Sequence, residues 1–136
     1  MPYPTPTDAE RAFYDAFVRR DLDAMRDAWS DSPDAICVHP GGPPLLGSAD
    51  VMSSWGEIFD GAAAPRLQVR TLQTHVDGDT AIHVVEERIE NPAENRAAVV
   101  IATNVYHRTA AGWAMRLHHA SLPLVEDTAA SATALH

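Results

Sequence analysis

Two adjacent histidines, His118 and His119, stand with Ser121 and a terminating Pro123 in a segment that otherwise reads as a buried strand, Trp113–Pro123. Polar side chains enter a core-facing strand either with partners or for a purpose. The run before it, Ala102–Arg108, carries a second unusual pair, Asn104 and Tyr106. An imidazole is a general acid or base, and Asn and Tyr are donors to a carbonyl or enolate oxygen. Side chains alternate along a strand, so the register decides which of these groups meet. If Thr109–Gly112 is an even-length turn, Tyr106 lies across from Met115 and Asn104 from Leu117. Asn104, Tyr106, Met115, Leu117, His119 and Ser121 then share one face, whose aromatic and polar groups suit a pocket. A one-residue slip inverts this and substitutes His118 for His119.

Each of these residues has a plainer role as well. A strand histidine such as His119 is often a satisfied structural group, and Asn104 equally bridges backbone groups at a bulge. His39 ends a short strand just before a Pro-Gly loop. Its ring either shuttles a proton at a cavity rim or fastens the loop through a backbone carbonyl. Trp29, Trp55, Phe17 and Phe59 read as core and pocket wall, supplying shape and desolvation.

Other chemistries find less support. Strand alternation sends His118 and His119 to opposite faces, so both cannot bind one ion, and no metal-ligand spacing is present. Ser121 lacks nucleophile-elbow glycines, and Cys37 reads as a small buried residue. No nucleotide loop occurs, so no cofactor is expected. The chain has no lysine, and its ten arginines face nineteen carboxylates for a net charge of −9. Without a basic stripe, that balance argues against nucleic acid. No apolar run approaches the roughly 20 residues of a membrane span, and no signal peptide is apparent. A cytoplasmic protein is the expectation.

At 136 residues the chain is one domain with a core of adequate size. Residues 1–7 read as a flexible Pro-rich N-terminus, 8–123 as the domain and 124–136 as a C-terminal tail. Thr7–Glu10 forms a capping box for a helix with a stripe at Ala12, Phe13, Ala16 and Phe17. Asp21 caps a second helix and Ser48 a third, closed by Gly61, with Val51, Trp55, Ile58 and Phe59 on one side. Ala35–His39 is a short strand, and Pro40–Pro44 a rigid loop. Four strands follow, at Leu67–Val76, Thr80–Ile89, Ala97–Arg108 and Trp113–Leu122, with Asp77-Gly78 as a hairpin signal. On the second of them His83, Val85 and Glu87 point one way. The pattern is α+β, with three helices packed on one face of a curved, mostly antiparallel sheet.

This order of elements resembles the SnoaL-like, ketosteroid isomerase-related branch of the nuclear transport factor 2-like superfamily. The matching residues are Cys37-Val-His-Pro40, Leu46-Gly47, Ser54-Trp55 with Ile58-Phe59, and Gly78-Asp-Thr-Ala81 leading to Glu87. Ala102-Thr-Asn-Val-Tyr106, Gly112-Trp113 and His118-His-Ala-Ser121 continue the match, which covers roughly residues 8 to 123. The resemblance implies a cone-shaped fold enclosing an apolar pocket, and a homodimer formed through the convex sheet face. It does not settle function, because one fold hosts many chemistries. Gly42 stands where many relatives carry tryptophan, which widens the expected pocket mouth. The aspartate bases of ketosteroid isomerases and of SnoaL have no counterpart here.

Following the resemblance, Glu87 is the carboxylate placed near the pocket, where an apolar setting raises its pKa toward general-base values. The plainer alternative is a surface ion pair with Arg96 or Arg108. The expected function is a pocket for a small apolar carbonyl compound, with cofactor-free proton transfer (isomerisation, cyclisation or dehydration). Glu87 or His119 is the base and His39 a second acid/base group. Asn104 and Tyr106 are the oxyanion donors, with Trp55, Phe59, Met115 and Ser121 contacting the ligand. The competing expectation is a non-catalytic ligand-binding or dimerisation module.

Overall fold

Three helices and six strands make up the computed structural model, which describes residues 2–61, 66–92 and 95–123. Helix α1 spans Pro6–Arg19, α2 Leu22–Ala28 and α3 Ser48–Asp60. The strands are β1 (Ile36–Val38), β2 (Pro44–Leu46), β3 (Arg66–Asp77), β4 (Thr80–Asn91), β5 (Arg96–Thr109) and β6 (Gly112–Ser121). They form one curved, open, mixed sheet in the order β2-β1-β6-β5-β4-β3. All neighbours are antiparallel except β1 and β6, which run parallel. The fold is α+β, as the sequence pattern requires.

Helix α1 begins earlier than the capping box predicts. Thr5 is its N-cap, accepting from the Asp8 amide at 3.0 Å, and Pro6 takes the first turn, where a missing N–H costs nothing. The segment before it is tied down rather than flexible. Tyr3 pairs with Trp113 through two backbone hydrogen bonds of 2.8 and 2.7 Å. Asp21 caps α2 as expected, accepting from Ala24 N at 3.0 Å. Gly47, not Ser48, precedes α3 as its cap residue, and the Ser48 hydroxyl donates to Asp31 instead. Strand β2 was not anticipated, because Pro44 reads as a breaker. It survives at the sheet edge, where proline leaves no ladder bond unmade. The tail expected over 124–136 lies outside the described residues.

The helices cover the face of the sheet on which Ala81, Val85, Val100, Ala102, Tyr106 and Met115 are buried. Phe13 of α1 sits at the centre of this core. Its ring centroid is 4.8 Å from Tyr14, 5.5 Å from Trp55 and 4.9 Å from His118. Each well-oriented aromatic pair contributes about 0.5–1.5 kcal/mol beyond area burial. The β5–β6 turn places Tyr106 opposite Met115 as expected. A bulge follows immediately: Val105 pairs with Leu117, so Arg116 is the extra residue on β6. From there on Asn104 faces His118 rather than Leu117. Among the described residues no helix is long and apolar enough to cross a membrane.

Candidate functional site

Four elements deliver polar side chains to one buried layer. Helix α1 contributes Glu10 and Tyr14, four residues apart and therefore on one helical face. Strand β4 contributes His83 and Glu87, β5 Asn104 and Tyr106, and β6 His118. Glu87, His83, Asn104 and His118 are all at most 2% exposed. Burial of so many polar groups is tolerable only because most are paired.

The pairing has a direction. The Tyr14 hydroxyl donates to Glu87 Oε2 at 2.5 Å, and Asn104 Nδ2 donates to the Tyr14 oxygen at 2.9 Å. Asn104 Oδ1 then faces His118 Nδ1 at 2.6 Å. An amide oxygen only accepts, so His118 Nδ1 carries the proton. Complete burial pushes the His118 pKa down to about 3, with His39 and His119 adding to the effect. His118 is therefore neutral with Nε2 bare, and every bond in the relay His118–Asn104–Tyr14–Glu87 points toward the carboxylate. Burial pushes the Glu87 pKa up to about 7; the Tyr14 bond opposes this and the Glu10 charge adds to it. Burial also holds the Tyr14 hydroxyl well above its ordinary range, so it remains a donor.

A shorter arm runs beside the relay. Tyr106 donates to Glu10 Oε1 at 3.2 Å. His83 Nδ1 lies 3.1 Å from the same oxygen but off the line that a hydrogen bond needs. Toward the β1 end of the same helix-covered face, His39 Nε2 is 3.0 Å from Ser54 Oγ, whose own proton goes to Val51 O at 2.6 Å. His39 Nε2–H is thus the donor, leaving Nδ1 bare. Burial lowers the His39 pKa, and its ring packs 4.8 Å from Trp55.

The structure brings Glu87, Asn104, Tyr106, Met115 and Trp55 into this layer and leaves Phe59 half-buried against Trp55. It does not bring in His119 or Ser121. Both are exposed, because the Arg116 bulge shifts the register by one and turns His118 inward in their place. The surface ion pair considered for Glu87 is also absent from its described contacts: its bonded partner is Tyr14, while Arg108 bonds Asp79 at 2.8 Å. Sequence reasoning missed Glu10 and Tyr14 as members of the layer, whereas His83 shares Glu87's side of β4 as read and His118 takes the place that a one-residue slip assigns it. The i, i+4 spacing of Glu10 and Tyr14 was the available signal, hidden by the stronger apolar stripe beside it.

A large cleft of about 1050 Å³ lies elsewhere, between α2, α3 and the beginning of β6. None of the residues expected to bind or react with the ligand lines it, although Trp29, read as core or pocket wall, does. Among the described residues no cluster of metal-ligand side chains occurs.

Comparison with known proteins places this geometry in context. Residues 8–125 match the profile of a SnoaL-like domain. A solved structure from Thiobacillus denitrificans, provisionally described as a calcium/calmodulin-dependent protein kinase type II association domain, is 40% identical. The match covers 91% of this chain and 99% of that one, with a TM-score of 0.86. A Streptomyces avermitilis protein of the NTF2-like family, provisionally described as a dehydratase, is 32% identical. That match covers 88% of this chain and 94% of the other, with a TM-score of 0.80. The F-box protein SKIP8 of Arabidopsis thaliana is 27% identical over 115 residues, 85% of this chain. The chain spans about half (48%) of that curated relative's length.

Proposed function

This chain belongs to the SnoaL-like domain family, and from that premise we propose that it binds a small apolar carbonyl compound and moves a proton beside the carbonyl without a cofactor. The observation that carries the reading is Glu87, buried on the helix-covered sheet face with its pKa pushed up to about 7. A base titrating near the working pH combines a useful fraction in the ionised form with a real affinity for protons. Tyr14 fixes Oε2, which leaves Oε1 as the reacting oxygen. Glu87 takes the proton from the α-carbon, the electron pair passes onto the carbonyl oxygen, and protonated Glu87 returns the proton to the same or a conjugated carbon. Asn104, which donates to Tyr14 and also hydrogen-bonds Tyr106, is the donor to the developing oxyanion once a substrate oxygen replaces one of these partners. Tyr106 assists from the same face, and His39 serves as the second acid/base group, its bare Nδ1 able to accept a proton. Trp55, Phe59 and Met115 form the apolar wall of a cone-like pocket.

The dehydratase description attached to one relative fits the same chemistry, since elimination next to a carbonyl begins with this proton transfer. The association-domain description attached to another favours the second reading, a non-catalytic binding or assembly module. The deciding experiment is hydrogen–deuterium exchange at the α-carbons of a panel of cyclic and aryl ketones, followed by NMR. Catalysis predicts exchange that rises with pH through about 7, following the raised Glu87 pKa, and drops at least about 100-fold in Glu87→Gln, as loss of a general base does. Saturable ketone binding without exchange, unchanged in Glu87→Gln, would overturn the enzyme reading and leave the module.

A further inference from the structure

The cleft between α2, α3 and the start of β6 is independent of the Glu87 layer, and its walls are chemically uneven. Leu22, Trp29 and Met52 supply apolar surface, while Arg26 and Arg116 bring the only guanidinium groups among the described residues of its lining. Trp29 is 4% exposed, and its indole N–H has no acceptor among the described residues. Arg116 Nε is likewise buried and without a hydrogen-bond partner among the described residues. Both orphaned groups are donors on residues of the lining, each itself buried, so an acceptor in the cleft reaches them only as the two side chains turn toward it. A buried donor left unbonded costs about 1–3 kcal/mol, which is recovered when a ligand supplies the missing oxygen.

The arginines are only loosely committed. Arg26 pairs with Asp23 one turn away on the same helix, both side chains well exposed, an arrangement worth little in water. Arg116 reaches Asp34 only at 3.4 Å. It is also the extra residue of the β6 bulge, and bulges characteristically re-aim a side chain at a site. The carboxylates of Asp27 and Asp31 border the cleft as well, with Asp31 accepting from Ser48. Their presence disfavours a multiply charged anion.

We propose that this cleft is a second binding site, for a small amphipathic monoanion whose apolar body lies on Trp29 and Met52 and whose carboxylate or sulfonate is held by Arg26 and Arg116. The site needs nothing from the Glu87 layer, so it stands or falls separately from the proton-transfer reading.

The test is a titration of the full chain with 8-anilinonaphthalene-1-sulfonate and, separately, decanoate, followed by the indole N–H and arginine Nε–H signals in nitrogen-15 correlation spectra. The three tryptophans are distinguished by a Trp29→Phe variant. Saturable shifts at Trp29 and Arg116 are expected, weakened about tenfold or more by Arg116→Gln, the usual cost of one charge-assisted hydrogen bond. Ala49→Trp, at an exposed position on the cleft wall, blocks the site sterically, and Glu87→Gln leaves binding unchanged. Two results would overturn the site. One is shifts centred on Trp55 or on the uncovered sheet face; the other is no saturable response at Trp29 with either probe, as when a second copy covers the cleft.

Discussion

Glu87 and His118 stand at opposite ends of one hydrogen-bonded chain and are perturbed in opposite senses. The Glu87 carboxyl is pushed up to about 7 and the His118 imidazole down to about 3, each chiefly by burial. Folding therefore favours the neutral form of both. The folded state binds the Glu87 proton more tightly than the unfolded chain, so this carboxyl lowers stability as pH rises from the ordinary glutamate range through about 7. His118 acts inversely. The unfolded chain takes up its proton below about 6.5 while the folded state refuses it, so stability falls as the solution is acidified. Between about pH 4.5 and 6.5 the two slopes oppose one another at roughly 1 kcal/mol per pH unit each. Urea unfolding across this window is expected to show little net pH dependence from the pair. Glu87→Gln should unmask a stability that rises with pH, and His118→Gln one that falls. Parallel profiles in wild type and both variants would show that neither group is buried in the form described. A second check is spectroscopic: the nitrogen-15 shifts of His118 are expected to report a neutral ring with the proton on Nδ1, unchanged from pH 8 to pH 5. Of this residue-scale picture, Asn104 and Tyr106 were legible because each is a polar residue at a strand position of the right parity, while Glu87 was placed by the family resemblance. Tyr14 was not legible, since an aromatic on a helix flank is commonly core.

At the scale of elements, the strand boundaries were readable to within a residue or two because period-two alternation is strong over β4 to β6. What alternation cannot reveal is an inserted residue. The single extra position at Arg116 leaves Tyr106 opposite Met115 yet exchanges His119 for His118 beyond it, and no composition signal marks the spot. Turn chemistry fared unevenly for a similar reason. Gly78 takes φ +59 at the first position of the two-residue β3–β4 turn, as a Gly-led hairpin turn allows. Gly112 was read as part of a loop, but its constraint is tertiary: φ is +132, and an added Cβ would sit 2.7 Å from the Tyr3 carbonyl oxygen. Relief would have to come from the backbone bridge that holds the N-terminal segment to β6. Gly112→Ala is expected to destabilise by at least about 2 kcal/mol, the range for a backbone clash at a positive φ, and to expose the Tyr3 amide to hydrogen exchange. Gly41→Ala is the matched control. It too has a positive φ, +75, but nothing lies within 4 Å of the added carbon, so its loss should reflect backbone strain alone, about 1 kcal/mol. Equal losses at both positions would mean that the Tyr3 contact is immaterial.

At the scale of the molecule, one face of the sheet is closed by helices, and the other is left uncovered by the described residues. The alternate positions along β4 to β6 leave Ile82 38% and Val99 37% exposed, with Val84, Ile101, Val105 and Leu117 half-buried around them. Six aliphatic side chains converging on an uncovered sheet face form the sort of contiguous patch that marks a protein interface. The charges flanking it, Arg70 with Glu86 and Arg88 with Glu90, are already paired within the chain, so the patch does not repel a second copy despite the net charge of −9. A homodimer packed through this face is the expected state, burying about 800 Å² per partner as stable interfaces do. The Glu87 layer lies on the opposite face, so dimerisation would leave each site self-contained. Sedimentation velocity at micromolar concentration should give a dimer for the wild type. Ile101→Glu, which places a carboxylate at the centre of the patch, should give a monomer. A new charge buried without a partner is costly enough to dissociate an interface of this size. Arg116→Gln, at the cleft rather than at the patch centre, should leave the dimer intact. If the wild type sediments as a monomer, or if Ile101→Glu remains dimeric, the copies do not meet through this face.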